Sequence, residues 1–347
     1  MAVLDIFNSD FFGVVSMTQA LDLIPYKPNW LGSLGIFQQR SVSTTTVVIE
    51  ERHNRLSLVP TSARGTNVTT ENRKPRKGIP FLTNHLALTS GMQADDVQNI
   101  RAFGQENVTE TVAGKVNEIT TALRDDIEIT KEYHRYGALK GIVLDADMST
   151  TVYNFYTAFG VTPPTKAFPL SVDGSATGAL KQDCIDVTRT IHLALGGKML
   201  TGIIGLAGDT WFDAFVSNAE VRAAYDRWQD GLLLRSTQIG GAGYMLGADG
   251  QPGFTFGGIT FLNSRAAIGA NPFIPLDECR FFPTGVPDLF IEVNSPADYI
   301  ETVNTPGMPF YAKQERMKFD KGVEIEVQAN VLTIPTLPGV LVQGTQT

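Results

Sequence analysis

The feature that most constrains the fold of this chain is a run of apolar residues at helical spacing between residues 107 and 137. Apolar side chains recur there at steps of three and four, at Val108, Val112, Val116, Ile119, Leu123 and Ile127. This spacing predicts one amphipathic helix of about 30 residues, about 45 Å long, which ends at Gly137. Because a helix of this length has only one apolar stripe, we expect a sheet to cover that stripe, and we call it the spine helix.

The residues before the helix predict extended segments with little core of their own. Residues 1–40 contain prolines and glycines that break regular structure, and they predict an arm that lies along something else. Residues 41–60 predict a β-hairpin around "ERHN", with Thr45, Val47 and Ile49 on one face and Thr44, Thr46 and Val48 on the other. Residues 61–80 are polar and basic, and they predict a projecting loop. Ser90 and Gln93 have the spacing of a capping box, which predicts a helix that runs to Gly104.

The residues after the spine helix predict further sheet structure and a second lobe. "GIVLDADMSTTVYNFYTAF" predicts two strands, and residues 160–178 form a joint rich in Pro and Gly. Residues 176–295 predict an α/β lobe, with helices at 178–195 and 218–229 and strands in "TGIIGLAG", "FTFGGITFLN", "CRFFPTG" and "LFIEVN". The remaining residues predict a long strand pair that returns to the first lobe.

One segment carries positive charge in a chain that is acidic. The net charge is −8, from 28 Lys and Arg against 36 Asp and Glu, which argues against broad, sequence-independent binding to nucleic acid. Yet "ENRKPRKGIP" groups four cations around one proline, Arg73, Lys74, Arg76 and Lys77. A grip on nucleic acid, a phosphate site and a docking surface for an acidic partner are the three candidate roles.

Several common site types find little support in the residues. Cys184 and Cys279 lie far apart in no CxxC pattern, so we expect both to be buried as small hydrophobic residues. The four histidines lack metal-ligand spacing, so no metal or other cofactor is expected. Acidic residues interrupt the N-terminal stretch, which argues against a signal peptide, and no apolar run is long enough for a membrane span. A soluble protein made in the cytoplasm is the expectation.

The sharpest enzymatic candidate is "IVLDADMST". A strand that ends in Asp-x-Asp-x-Ser resembles the first motif of haloacid-dehalogenase-type phosphotransferases, in which Asp145 would be the nucleophile and Asp147 the acid/base, with Mg²⁺ between them. However, no paired-acid motif follows a later strand. The favoured interpretation is the turn of a β-hairpin, in which aspartate bonds to the local backbone, and no catalytic residue is assigned.

Two glycine-containing segments resemble nucleotide-binding loops only in part. "GGAGYMLGADG", from Gly240 to Gly250, has Leu246 where the dinucleotide fingerprint needs glycine. "LGGKMLTG" carries Gly197-Lys198, but Met199 stands where a phosphate-binding loop needs Ser or Thr. Both are interpreted as loops, so no cofactor-binding residue is assigned.

The order of arm, long loop, spine helix, joint, α/β lobe and returning strands is unusual for an enzyme. It resembles the major capsid proteins of tailed bacteriophages, with the Hong Kong 97-type fold, and more narrowly the lambda-type capsid protein E family. The resemblance covers nearly the whole chain, in "PYKPNWLGSLGIFQQRSVSTTTVVIEE", "LVPTSARGT", "RKPRKGIPFLTNH", "ADDVQNIRAFG", "TKEYHRYGALKGIVLDADMSTTVYNFYTAFG" and "FYAKQERMKFDKGVEIEVQANVLTIPTLPGVLV".

The resemblance implies an α+β fold with five parts. Residues 1–40 would be the N-terminal arm and 41–85 the extended loop, a β-hairpin that reaches over a neighbouring subunit. Residues 86–177 and 296–347 would form the peripheral domain with the spine helix, and 178–295 the axial domain. The arm and the loop are too thin to fold alone, so burial against neighbouring subunits is expected to stabilise them.

The resemblance also implies a role and partners. The chain would assemble with itself, as pentamers and hexamers, into the icosahedral shell that encloses the double-stranded DNA of a tailed phage. The shell would be built in the host cytoplasm and found in the virion. A portal protein, a separate scaffolding protein and a decoration protein are expected partners, DNA would be enclosed without sequence-specific binding, and no membrane is involved. An encapsulin-like cargo compartment is the alternative shell.

With a shell in view, the basic run is better explained by a neighbouring subunit than by nucleic acid. The hypothesis is that Arg73, Lys74, Arg76 and Lys77 clamp acidic groups on an adjacent copy. The candidate acidic groups lie together in sequence on the spine helix, at Asp125, Asp126 and Glu128.

Overall fold

A computed structural model describes residues 30–51, 77–96, 112–170, 178–224, 254–264, 266–268 and 271–346. Its α-helices include α1 (Trp30–Ser33), α2 (Val112–Lys140, the spine helix), α3 (Phe155–Phe159), α4 (Ala179–Leu195) and α5 (Asp209–Ser217). Its strands are β1 (Phe37–Ser41), β2 (Thr46–Glu51), β3 (Lys77–Leu82), β4 (Asn84–Gln93), β5 (Ile142–Leu144), β6 (Thr151–Asn154), β7 (Thr165–Phe168), β8 (Gly202–Ala207), β9 (Phe254–Phe256), β10 (Ile259–Asn263), β11 (Ala267–Ile268), β12 (Asn271–Pro272), β13 (Glu278–Thr284), β14 (Phe290–Asn294), β15 (Tyr311–Arg316), β16 (Gly322–Pro335) and β17 (Val342–Gln346).

The first sheet is built around the 14-residue strand β16. Along one edge of β16 lie β14 and then β15, both antiparallel to it, and β4 pairs with the other edge over ten residues. β1 extends this sheet by pairing in parallel with β14. The predicted long strand pair near the C-terminus is confirmed as β15 and β16.

The spine helix packs its apolar stripe on this sheet, as the spacing predicts. Val116 and Ile127 of the helix are buried in one hydrophobic cluster with residues of the sheet. Ile325 and Val327 lie on β16, and Phe310 immediately precedes β15. The helix continues past the predicted stop, so the prediction that Gly137 ends it is wrong.

Gly137 lies inside the helix because the helix is packed tightly there. A Cβ on Gly137 would lie 3.0 Å from the Cα of Val143, so the glycine permits close packing against β5. The helix ends at Lys140, and Gly141 follows with φ +77°, a conformation that glycine adopts without strain.

The second sheet has the strand order β7-β17-β13-β8-β10-β9. α4 and α5 contribute to its core, in which the rings of Trp211, Phe215, Phe261 and Phe281 contact one another. The predicted helix at 178–195 is confirmed, and Gly196 closes it in the left-handed conformation. Of the second predicted helix, residues 219–224 are helical and 225–229 lie outside the described residues.

Three strands belong to a different sheet from the one that the predicted domain boundaries imply. β7 and β17 were grouped with the peripheral residues, but they pair with each other and extend the second sheet through β13. β14 was grouped with the axial residues, but it pairs with β1 and β16 in the first sheet. The chain therefore passes between the sheets more often than its sequence order suggests.

The predicted hairpin at 41–60 is paired differently from the prediction. Its first strand, β2, pairs with β3, in a register that sets Thr46 against Leu82 and Glu51 against Lys77, so residues 52–76 connect the two strands. The predicted faces are confirmed. Val47 and Ile49 pack on a core cluster, whereas Val48 is 56% exposed.

The predicted capping box is wrong. Ser90 and Gln93 both lie in β4, where Ser90 pairs with Ile325 and Gln93 with Gly322. Ten residues of pairing with β16 outweigh the local helix-start signal. The remainder of that predicted helix, 97–104, lies outside the described residues.

Candidate functional site

The predicted basic run ends at the first residue of β3. Arg73, Lys74 and Arg76 lie outside the described residues. Lys77 begins β3, and its backbone is in register with that of Glu51 on β2.

The three predicted acidic partners on the spine helix have different surroundings. Asp126 is exposed and Asp125 is half-buried. Glu128 is buried, 8% exposed, and its Oε1 lies 3.4 Å from Nζ of Lys131. Glu128 therefore belongs to the interior of its own subunit, and the prediction that it meets a neighbouring subunit is corrected.

The Asp145–Asp147 segment forms the turn between β5 and β6, as the favoured interpretation predicts. Oδ1 of Asp147 accepts hydrogen bonds from the backbone N–H groups of Ser149 (3.0 Å) and Thr150 (2.9 Å), and its Oδ2 accepts from their hydroxyl groups. These bonds, led by the one from the Thr150 hydroxyl, hold the pKa of Asp147 well below its ordinary value. Since the turn uses both carboxylate oxygens, the phosphotransferase interpretation loses its acid/base.

The two glycine segments likewise give no nucleotide site among the described residues. Gly197-Lys198 follows the C-terminal end of α4, and both Gly196 and Gly197 have positive φ. A phosphate-binding loop precedes the N-terminus of a helix instead. Gly240 to Gly250 lie outside the described residues.

The cysteines are buried as predicted. Burial raises the pKa of Cys184 to about 12 and that of Cys279 well above its ordinary value, so both are unreactive thiols in the folded chain. Within the described ranges, no three His, Cys, Asp or Glu side chains group as metal ligands do. None of the described helices has both the length and the hydropathy to cross a membrane.

The most unusual chemical feature is a cluster of charged side chains buried between the spine helix and the first sheet. The sequence pattern did not predict it. Glu292, on β14, is fully buried. Its carboxylate accepts hydrogen bonds from Nε (2.7 Å) and an Nη atom (3.1 Å) of Arg135 and from Nε2 of Gln39 (2.8 Å), and Nζ of Lys131 lies 3.6 Å away.

The spine helix supplies most of this buried charge cluster. Lys131, Glu132 and Arg135 are 2–7% exposed. Nη1 of Arg135 donates to Oε2 of Glu132 (3.1 Å), and Nζ of Lys131 lies 4.4 Å from the centre of the Phe310 ring. Arg124, also buried, lies over the same ring, so with Glu128 and Glu292 the cluster has three carboxylates and three cations.

Burial and pairing act in opposite directions on the acids of the cluster. Burial raises the pKa of Glu132, and its hydrogen bonds from Leu31 and Arg135 only partly offset this. Burial would also raise the pKa of Glu292, but Lys131 and Arg135 outweigh it and hold that pKa below its ordinary value. Glu292 is therefore ionised at neutral pH, as the centre of a buried ion pair.

Comparison with known proteins gives the family. The family model described as "Phage major capsid protein E" matches residues 13–346. Two proteins named "Major capsid protein" are each 23% identical to the chain, with 96% of both partners covered. One is from Pseudomonas phage KPP10 and the other from Salmonella phage Felix O1.

Comparison with solved structures gives the fold. The mature capsid of bacteriophage PhiM1 superposes with a TM-score of 0.53 at 12% identity, over 93% of this chain and 88% of that chain. The capsid of a native GTA particle gives a TM-score of 0.51 at 10% identity, over 93% and 92%. These are capsid subunits with the Hong Kong 97-type fold, which confirms the predicted fold class. Because one family model spans both sheets and the spine helix, the chain belongs to the phage major capsid protein E family and is a major capsid protein of a phage.

Proposed function

We propose that copies of this chain form pentamers and hexamers that close into an icosahedral shell around the double-stranded DNA of a tailed phage. The observation that carries the proposal is the family match over residues 13–346, since it includes every described element. The same match favours a phage head over a cargo compartment. Both of the phage relatives described above are major capsid proteins, which supports a role without catalysis.

The proposal also assigns a structural role to each part of the subunit. Residues 1–40 act as the arm and 41–85 as the extended loop. The spine helix and most of the first sheet form the peripheral domain, centred on 86–177 and 296–347, to which β1 and β14 add strands from outside these ranges. The axial domain is centred on 178–295. β7 and β17 complete the axial sheet from outside that range.

The basic run is proposed to bind an adjacent copy through two carboxylates. Glu128 is buried, so Asp125 and Asp126 remain of the three predicted acidic partners, and Asp126 is the more exposed of the two. The exposed side chain of Asp126 and the place of Lys77 at the first residue of β3 support this pairing. Complementary charge at such a contact sets register and partner choice more than raw affinity.

Charge reversal tests the clamp. Arg76→Glu with Lys77→Glu is expected to reduce shell formation while the free energy of unfolding of the unassembled chain stays within about 0.5 kcal/mol of wild type. Adding Asp125→Lys and Asp126→Lys to the same chain should restore assembly. Lys181→Glu with Lys198→Glu, at exposed positions of the second lobe, is the matched control. Normal assembly of the first variant would contradict the clamp.

The shell itself is tested by negative-stain microscopy of the expressed chain, alone and with a candidate scaffolding protein from the same genome. Closed particles are the expected product, and persistent monomers under all conditions would contradict the proposal. A separate scaffolding protein, a portal protein at one vertex and a decoration protein are proposed partners, and assembly is proposed to occur in the host cytoplasm before the chain is found in the virion.

The acidic net charge of −8 bears on the enclosed DNA. A basic lining would hold DNA through counterion release, whereas an acidic one leaves the genome free to move in and out. Purified shells are therefore expected to bind duplex DNA weakly at physiological salt, and tight retention would contradict this part of the proposal.

A further inference from the structure

We infer that the buried Glu132–Arg135 pair is a latch for the N-terminal arm. It holds residues 30–41 against the spine helix, and so fixes the register in which this part of the arm lies on the subunit. The inference concerns the folded subunit, and only its consequence for neighbouring copies rests on the proposed function.

The latch contacts the arm at its first described turn. Oε1 of Glu132 accepts a hydrogen bond from the backbone N–H of Leu31 at 2.8 Å, and the backbone of Gly32 also bonds to this carboxylate. Leu31 is fully buried. A charged acceptor makes such bonds stronger than a neutral one would, so α1 is fixed directly to the spine helix.

Arg135 extends the hold to β1. Its guanidinium lies 6.0 Å from the centre of the Phe37 ring, and it joins Glu132 to Glu292. Glu292 in turn accepts from the side chain of Gln39. The arm is thus attached to one ion network at three positions, in α1, at the start of β1 and in its middle.

Apart from the latch, the arm is held mainly by apolar packing, with Leu31 and Phe37 in the core and Trp30, Leu34 and Ile36 packed against it. β1 is a five-residue edge strand whose residues after Phe37 are exposed, and it pairs only with β14 among the described strands. Its other ion pair, between Arg40 and Asp288, has both side chains more than half exposed, and such pairs stabilise little.

The chemistry of the cluster suits a positioning role better than a stabilising one. A buried ion pair is on average no more stabilising than apolar residues of the same shape, but it admits few alternative arrangements. Apolar side chains here would let α1 slide along the helix. Charged groups with directed hydrogen bonds fix one register, which a segment that must reach a neighbouring copy requires.

The test is amide hydrogen exchange in the full-length, unassembled chain, followed by assembly. Glu132→Gln removes the charge but keeps an oxygen for the Leu31 N–H. It is expected to speed exchange at Leu31 about tenfold or more, because hydrogen bonds to charged groups contribute enough for such a change. Exchange in β8 and β13 should stay as in wild type, and shells should form poorly or irregularly.

Two controls separate the latch from general destabilisation. Glu118→Gln changes the same residue type on the same helix, at an exposed pair with Lys115, and should alter neither exchange nor assembly. Ile191→Ala removes a buried side chain of α4 from the same core cluster, and it should speed exchange at Leu31 no more than in β8 and β13. Arg135→Lys keeps the charge and loses the forked contact, so it should give a smaller acceleration than Glu132→Gln.

Three results would overturn the inference. They are unchanged exchange at Leu31 in Glu132→Gln, equal acceleration in both sheets, and normal shells from a variant whose arm is demonstrably loosened. If the wild-type chain itself forms no shells, the proposed function fails, and the exchange experiment still decides whether the latch exists.

Discussion

Removing the carboxylate of Glu292 is expected to lower the free energy of unfolding by about 3–5 kcal/mol. The side chain is fully buried and accepts three hydrogen bonds, two from Arg135 and one from Gln39. In Glu292→Leu the guanidinium of Arg135, itself buried, loses its acceptor in an interior that gives it no water, which is why breaking a buried pair costs more than the pair contributes. Arg135→Met should cost a similar amount, because Glu292 and Glu132 then lose their main cation.

The double variant Glu292→Leu with Arg135→Met should be far more stable than the sum of the single changes predicts. It removes one charge of each sign and keeps the Lys131–Glu128 and Glu132–Leu31 contacts, although Glu132 still loses Arg135 and Lys131 still loses Glu292. We expect the double variant to lose no more than either single variant, and hence a coupling energy of several kcal/mol, since apolar replacement of a buried pair removes both of the charges that the single changes leave unpaired.

Urea unfolding of the four proteins, wild type, both single variants and the double variant, measures this cycle. Fluorescence and circular dichroism should be recorded together, because a two-lobed chain can unfold in more than one step. Additive losses, with the double variant as unstable as the sum of the singles, would refute the reasoning that the cost lies in the unpaired charge.

Three further predictions concern other parts of the molecule. Cys184 and Cys279 should react with a thiol reagent only after unfolding, because burial raises both pKa values; fast labelling of the native chain would contradict this. Gly141→Ala should lower the free energy of unfolding by about 2 kcal/mol or more, because the new Cβ would have a positive φ and would collide with the ring of Tyr156. Gly160→Ala also has a positive φ but has open space around it, so it should lower that free energy by only about 1 kcal/mol. Burial lowers the pKa of His134 from its ordinary 6.5, so the unfolded chain takes up the proton first and stability should fall as pH drops below about 6.5; a His134→Gln variant should show a smaller fall, and an identical pH profile would argue against the assignment.

Residue spacing was sufficient to predict the elements that form from local pattern. The stripe from Val112 to Ile127 predicts the spine helix and its sheet, and Gly196 correctly predicts the end of α4. The Asp147 turn is also local, because its partners lie two and three residues away. In each case the decisive contacts are close in sequence.

The remaining features depend on contacts that are distant in sequence. β2 pairs with β3 across the 25 residues 52–76, which no local turn signal reports. The spacing of Lys131, Glu132 and Arg135 is typical of a solvated helix face. Their burial depends on residues far away in sequence, above all on Glu292, more than 150 residues later. Glu128 was assigned to a neighbouring subunit for the same reason, since a polar residue on a helix is normally exposed.

The position of β17 has a consequence for how the chain is made. β17 lies between β7 and β13 and pairs with both, so a chain that stops before Val342 leaves β7 without its strand partner and the second sheet with an open edge. During synthesis that sheet stays incomplete until these late residues leave the ribosome, and pairings so distant in sequence form slowly. Prematurely terminated chains would therefore present an unfinished lobe to their neighbours, and the fold itself would exclude truncated products from a growing particle.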